Sequence, residues 1–188
     1  MLRNECGSVR NGSKQEREDQ TMTTSINDAC FERVKVSRQR TGEGGFPLPG
    51  PLACARYALT EGAEADDALL RAERSGDRRN NDRQRDACNE WGQAGYMILS
   101  GLISLPRLPE LKFPDGNARP ALWAYGATMG ELAAFLQQAA CGVPFDRSFR
   151  ALAWAWTCWR LYAEAHRWDA VQLIDDTCSA FEAKHAAG

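Results

Sequence analysis

Histidine is nearly missing from this sequence, with two in 188 residues, His166 and His185. Lysine is scarce as well, 4 against 19 arginines. So few histidines leave little material for histidine-based metal or acid–base sites. No apolar run approaches the roughly 18 residues that a membrane span needs. The longest candidate, residues 94–105, reads as a buried helix end. The polar N-terminus lacks the apolar core of a signal peptide. No two of the seven cysteines lie within three residues of each other, which excludes zinc-ribbon and thioredoxin-like spacings. GxGxxG, Walker, HExxH and GxSxG motifs are also absent. Gly42-Glu43-Gly44-Gly45 is followed by prolines, so it cannot seat a phosphate on a helix N-terminus.

What is present is ordinary in bulk: 44% hydrophobic, 26% charged, formal charge −2. That composition implies a soluble globular chain with one domain as the default. Near-neutrality argues against a histone-like nucleic-acid binder. The arginine excess fits a GC-rich, bacterial-type coding sequence. Cys54, Cys88, Cys158 and Cys178 stand in apolar helical stretches and read as small buried hydrophobes in a reducing cytoplasm.

Residues 1–21 hold almost no apolar side chains. The codons of Lys14-Gln15-Glu16-Arg17-Glu18 would be purine-rich, like a ribosome-binding site, just before Met22. We therefore expect Met22 to be the natural start and residues 1–21 a leader. Val34-Lys35-Val36 alternates and suggests a short strand or extended arm. The stretch from Gly42 to Pro51 is rich in Gly and Pro and reads as a linker. Residues 1–50 are thus expected to be an extended or disordered arm, and 51–188 a single helical domain.

From Leu52 the pattern turns helical. Two short helices, 52–61 and 64–74, are expected around Gly62. Ala87, Trp91, Ala94, Ile98 and Leu102 define an amphipathic helix over about 82–104. Gly92, Gly95 and Gly101 in it suggest close backbone contacts. Four prolines break 105–120, an irregular crossing with Leu108, Leu111 and Phe113 as anchors and a place to look for function. A helix over 121–140 carries bulk on one side and Gly126, Gly130, Ala133 and Ala134 on the other, so it can pack closely on both. A helix from Asp146, its expected N-cap, runs to about 165, and a last one spans 169–184. The expected fold is all-α: an irregular bundle of five or six helices.

Four of the six tryptophans fall between residues 154 and 168. On a helical wheel the helix after Asp146 has an apolar arc of about 220°, roughly twice what one neighbour covers. It is therefore central in the fold or open to a partner on one flank. The hairpin from Ala151 to Ala170 resembles a single tetratricopeptide-type repeat, with Trp154 and Ala170 at characteristic places. The usual Gly is absent and no second copy is visible.

Functional expectations follow from exclusion. The first is a non-enzymatic interaction module (adaptor, protein inhibitor or small subunit of an assembly) using Trp154, Trp156, Trp159 and Arg160, residue types that favour interface hot spots. Its partner is another protein or a second copy, and one of the three tryptophans should be substantially exposed. The alternative is a nucleic-acid-binding or ribonucleoprotein subunit, touching RNA or DNA backbone through Arg33, Lys35, Arg38, Arg40, Arg71, Arg74, Arg78, Arg79, Arg83 and Arg85. No cofactor, no metal and no membrane partner are expected. Weaker constellations are a Cys158/His166/Cys178 zinc or nucleophile site and Glu131 as a carboxylate with a raised pKa. For Glu131 the simpler expectation is an ion pair with Arg147, Arg150 or Arg160. For Asp175-Asp176 it is a solvated face, and for His166 a cap at the helix end.

Overall fold

A computed structural model describes residues 29–43, 49–75, 80–105 and 120–186. The expectations for Met22, for Leu108, Leu111 and Phe113, and for Arg78 and Arg79 lie outside the described residues. Within them the chain is an all-α bundle of six helices: α1 (Ala29–Glu43), α2 (Pro51–Ser75), α3 (Asn80–Ile103), α4 (Ala121–Ala140), α5 (Phe145–Ala165) and α6 (Ala170–Ala186). No described helix is long and apolar enough to cross a membrane.

α2 and α3 pair antiparallel. Cys54 meets Gly101, Gly62 meets Trp91, and the Arg83 guanidinium donates to the Arg71 carbonyl at 2.7 Å. α4 and α5 form a second antiparallel pair, with Tyr125 beside Tyr162 and Phe135 beside Phe145. α3 and α5 join the pairs, and α2 also touches α4. The glycines of α3 make this closeness possible. A Cβ at Gly95 would stand 2.5 Å from the Trp159 ring, and one at Gly92 would stand 2.5 Å from Thr177 Oγ1.

The first departure from the sequence reading is α1, a helix where an arm or strand was expected. Its buried positions, Cys30, Phe31, Val34, Ser37, Arg38 and Thr41, recur at helical spacing. Three of the six are polar, so hydrophobicity alone hides the period. α1 lies parallel to α6 and beside α3, and it contributes Cys30, Phe31 and Val34 to the main core. The packed body therefore begins before residue 51. Arg33 ties the two helices, donating to Asp175 at 2.6 Å and also to Glu182, which accepts from Arg40 at 2.9 Å.

The second departure is α2, which runs unbroken through Gly62. An interior glycine costs about 1 kcal/mol against alanine. Here it makes room for Met129 Sδ, which would sit 2.9 Å from a Cβ. A third concerns α5 and α6. α5 packs chiefly on α4 and α3, and α6 on α1 and α3. The Ala151–Ala170 segment is therefore not the self-packed helical pair that a repeat requires.

Helix ends carry a further lesson. α4 closes on Gly142 in the left-handed region, φ 74°, with Val143 N–H donating to the Gln138 carbonyl at 2.9 Å. α5 closes the same way on Arg167, φ 59°, with Trp168 N–H donating to the Ala163 carbonyl at 2.9 Å. Both are Schellman ends, but only one has the residue that takes this conformation without strain. Arg167→Gly is expected to raise stability by about 0.5–1 kcal/mol, a gain in Tm of a few degrees. A lower Tm in a thermal melt would contradict this. α5 itself starts one residue before Asp146, after Pro144. Asp169 caps α6, its carboxylate accepting from Val171 N–H at 2.9 Å and Gln172 N–H at 3.2 Å.

Candidate functional site

The tryptophans come first, since the sequence made them the partner surface. Trp159 is 0% exposed and Trp156 4%, while Trp154 and Arg160 are half-buried. The bundle itself covers Trp156 and Trp159, and of the three tryptophans expected to meet a partner only Trp154 keeps partial exposure. Trp91 and Trp159 form a reciprocal clasp. Each indole N–H donates to the other residue's backbone carbonyl, at 3.2 Å from Trp91 and 2.7 Å from Trp159. Their rings lie nearly parallel, and Trp156 also stacks on Trp159 at 4.7 Å. Buried indoles need such acceptors, and the clasp supplies both within the chain.

The basic residues of α1 do not make a free cationic strip. Helical spacing sends them in different directions. Arg33 and Arg40 pair with acids of α6, and Lys35 lies 3.7 Å from Glu32. Arg38 is only 7% exposed and donates to Ser104 Oγ at 3.1 Å. In the second run Arg71 pairs with Asp67, and Arg83 is half-buried against α2. Arg74 and Arg85 are exposed.

The zinc or nucleophile grouping is not assembled. Among the described residues, the side chains close enough to share a metal ion are Glu61, Glu64 and Glu90. Cys158 lies toward Glu131, and Cys178 toward Arg33 of α1. Burial pushes both thiols up to about 11, so they stay protonated and inert at neutral pH. His166 occupies the C-cap of α5, stacked on Trp168 at 4.9 Å. Burial lowers its pKa against the opposing pull of Glu73 and Asp66. The cap is therefore made by backbone, with a neutral ring. Glu131 forms no ion pair among the described residues, and burial raises its pKa.

The carboxylates of Glu61, Glu64 and Glu90 gather within 4.8 Å on α2 and α3. Burial, a hydrogen bond to Glu90, and the charges of Glu90 and Glu64 raise Glu61 to about 7. The folded state therefore holds a proton that the unfolded chain releases near pH 4.5. Stability from this group is complete below that pH and is lost as pH rises through 7. Glu61→Gln should stabilise the chain at pH 8 by about 1 kcal/mol, discounting for the group's partial exposure, and change little at pH 4.5. Urea denaturation at the two pH values checks this, and an equal effect at both would contradict it.

Two surfaces remain without an internal explanation. One is the outer face of α4. Its buried stripe is Ala124, Thr128, Leu132 and Phe135, rotated from the expected large-residue face of Leu122, Tyr125, Met129, Leu132 and Leu136, of which only Leu132 is fully buried. The small-residue stripe was expected to pack on a second neighbour; Ala134 packs on the core, while Gly126, Gly130 and Ala133 are exposed among the described residues. No described atom lies within 4 Å of where a Cβ on Gly126 or Gly130 would stand. Leu122 beside them is 80% exposed and Trp123 47%. The exposed positions of this helix include no charge, and Gln137 is the only polar side chain among them.

The other surface is a cleft of about 800 Å³ between α3 and α6. Its floor includes Leu173 and Thr177, both nearly buried, with half-buried Trp168 and Phe181. Arg85 and Lys184 stand exposed on its rim. Sequence reasoning missed it because its lining alternates polar and apolar residues and carries no motif. Comparison with protein-family models, curated proteins and solved structures finds no match to the chain.

Proposed function

We propose that the chain is a non-enzymatic protein–protein interaction module, a small cytoplasmic subunit of a helical assembly, that docks a partner helix on the outer face of α4. The observation carrying this is the pair of mid-helix glycines that no other described element approaches. Each costs about 1 kcal/mol in an exposed helix, and no contact among the described residues offsets it. Small residues on an uncharged face suit the close approach of another helix. This moves the docking surface proposed from the sequence off α5 and onto α4.

The occupant we commit to is α4 of a second copy, antiparallel. Crossing midway between Gly126 and Gly130 sets those two against each other. It also sets Leu122 over Ala134 and Trp123 over Ala133, bulk against small. An uncharged face meets itself without repulsion. One helix pair makes a small interface, so association of roughly micromolar strength is expected.

Photo-cross-linking mass spectrometry of the purified chain tests the pairing, with benzoylphenylalanine, which inserts into any nearby C–H bond, placed at Gln137 and at Ala133 in separate variants. Links between the two copies should join the substituted position to the N-terminal half of the partner's α4. Links that ignore α4 would contradict the reading.

A further inference from the structure

We propose that the cleft between α3 and α6 is a binding site for a small aromatic anion, a planar ring system bearing one acidic group such as a carboxylate or sulfonate. This does not rest on the α4 reading. The volume, about 800 Å³, lies within the range of small-ligand cavities. Trp168 and Phe181 offer ring faces along its lining, and Leu173 closes the floor. Arg85 near the start of α3 and Lys184 near the end of α6 put a cation at each end of the cleft, neither in an ion pair among the described residues. The one carboxylate in the lining, Asp176, already accepts a hydrogen bond from Gln172 at 2.7 Å. The lining is therefore net cationic and favours an acid over a base. Asn89 and Gln93 add carboxamide donors and acceptors for ring heteroatoms.

The walls are held before any ligand arrives. At Gly92 the two helices approach so closely that a Cβ would meet Thr177 Oγ1 at 2.5 Å. Tyr96 stacks on Phe181 at 4.7 Å, and His166 stacks on Trp168 at 4.9 Å. A ring entering between fixed walls loses little affinity to reorganisation of the protein.

The probe is 8-anilinonaphthalene-1-sulfonate, titrated into the full chain by fluorescence at low salt. The expected result is one saturable site with energy transfer from tryptophan. Combined Arg85→Glu and Lys184→Glu should weaken binding at least tenfold without changing the thermal melt, since both residues are exposed. Trp168→Leu should weaken it by a similar factor. Gly130→Arg on α4 should leave it unchanged, and uncharged 1-anilinonaphthalene should bind at least tenfold more weakly. Non-saturable binding, equal binding of the uncharged analogue, or affinity that follows Gly130→Arg and ignores the charge reversals would each overturn the proposal.

Discussion

Trp159→Ala is expected to remove about 3–5 kcal/mol of folding free energy, the usual cost of emptying a fully buried aromatic site. The residue is 0% exposed, stacked on Trp156, nearly parallel to Trp91, and linked to α3 by its own indole N–H and by its backbone carbonyl. Truncation leaves a cavity between α3 and α5, where two antiparallel pairs meet. Part of the loss is the Trp159 hydrogen bond to the Trp91 carbonyl, worth about 1 kcal/mol. Typical domains have only about 5–15 kcal/mol to lose, so this variant should be near the edge of folding. Trp154→Ala, at a half-buried position on the same helix, should cost clearly less. Urea denaturation of the two variants checks the order. Equal costs would mean that the clasp is not the centre of the fold.

Gly95→Ala should be the next most damaging change, and it reads the same contact from the other side. Its Cβ would stand 2.5 Å from both Cε2 and Cζ2 of Trp159. The ring is also held by its stacking on Trp156 and its hydrogen bond to the Trp91 carbonyl, which limit its retreat. Overpacking of this kind costs about 1–3 kcal/mol, even after the gain in helix propensity that alanine brings. With Trp159→Leu in the background the clash disappears, and Gly95→Ala should turn neutral or mildly stabilising. That reversal is a coupling between contacting residues, measurable as a double-mutant cycle. Additive effects would contradict the packing described.

These two variants also explain what was legible in the sequence. α3, α4, α5 and α6 were readable to within about two residues, because large apolar residues marked their inner faces and prolines or caps marked their ends. α1 was not, since Ser37, Arg38 and Thr41 occupy its buried stripe. Gly62 suggested a break in α2 because a sequence shows the cost of a glycine and not the methionine that fills its place. The tryptophan arc of α5 was visible, but its coverage was not. That depended on Gly95, forty residues or more away in sequence, letting α3 come close. For α4 the small stripe was expected to meet a second neighbour, and among the described residues none approaches Gly126 or Gly130. The cleft between α3 and α6 left no signal, because residues from two separate helices make it only when folded.

The glycines of α3 and α4 thus look alike in sequence and differ in surroundings. Gly92, Gly95 and Gly101 are each met by a neighbour within 3 Å of an added Cβ, while no other described element comes near Gly126 or Gly130. Alanine at Gly126 or Gly130 should therefore stabilise the isolated chain by about 0.5–1 kcal/mol while weakening any assembly built on that face. The most direct test of the account is sedimentation equilibrium of the wild type beside Gly130→Arg over a wide concentration range. The account predicts a reversible dimer for the wild type and a monomer of unchanged fold for the variant. A wild type that stays monomeric throughout, or a variant that dimerises as strongly, would contradict it.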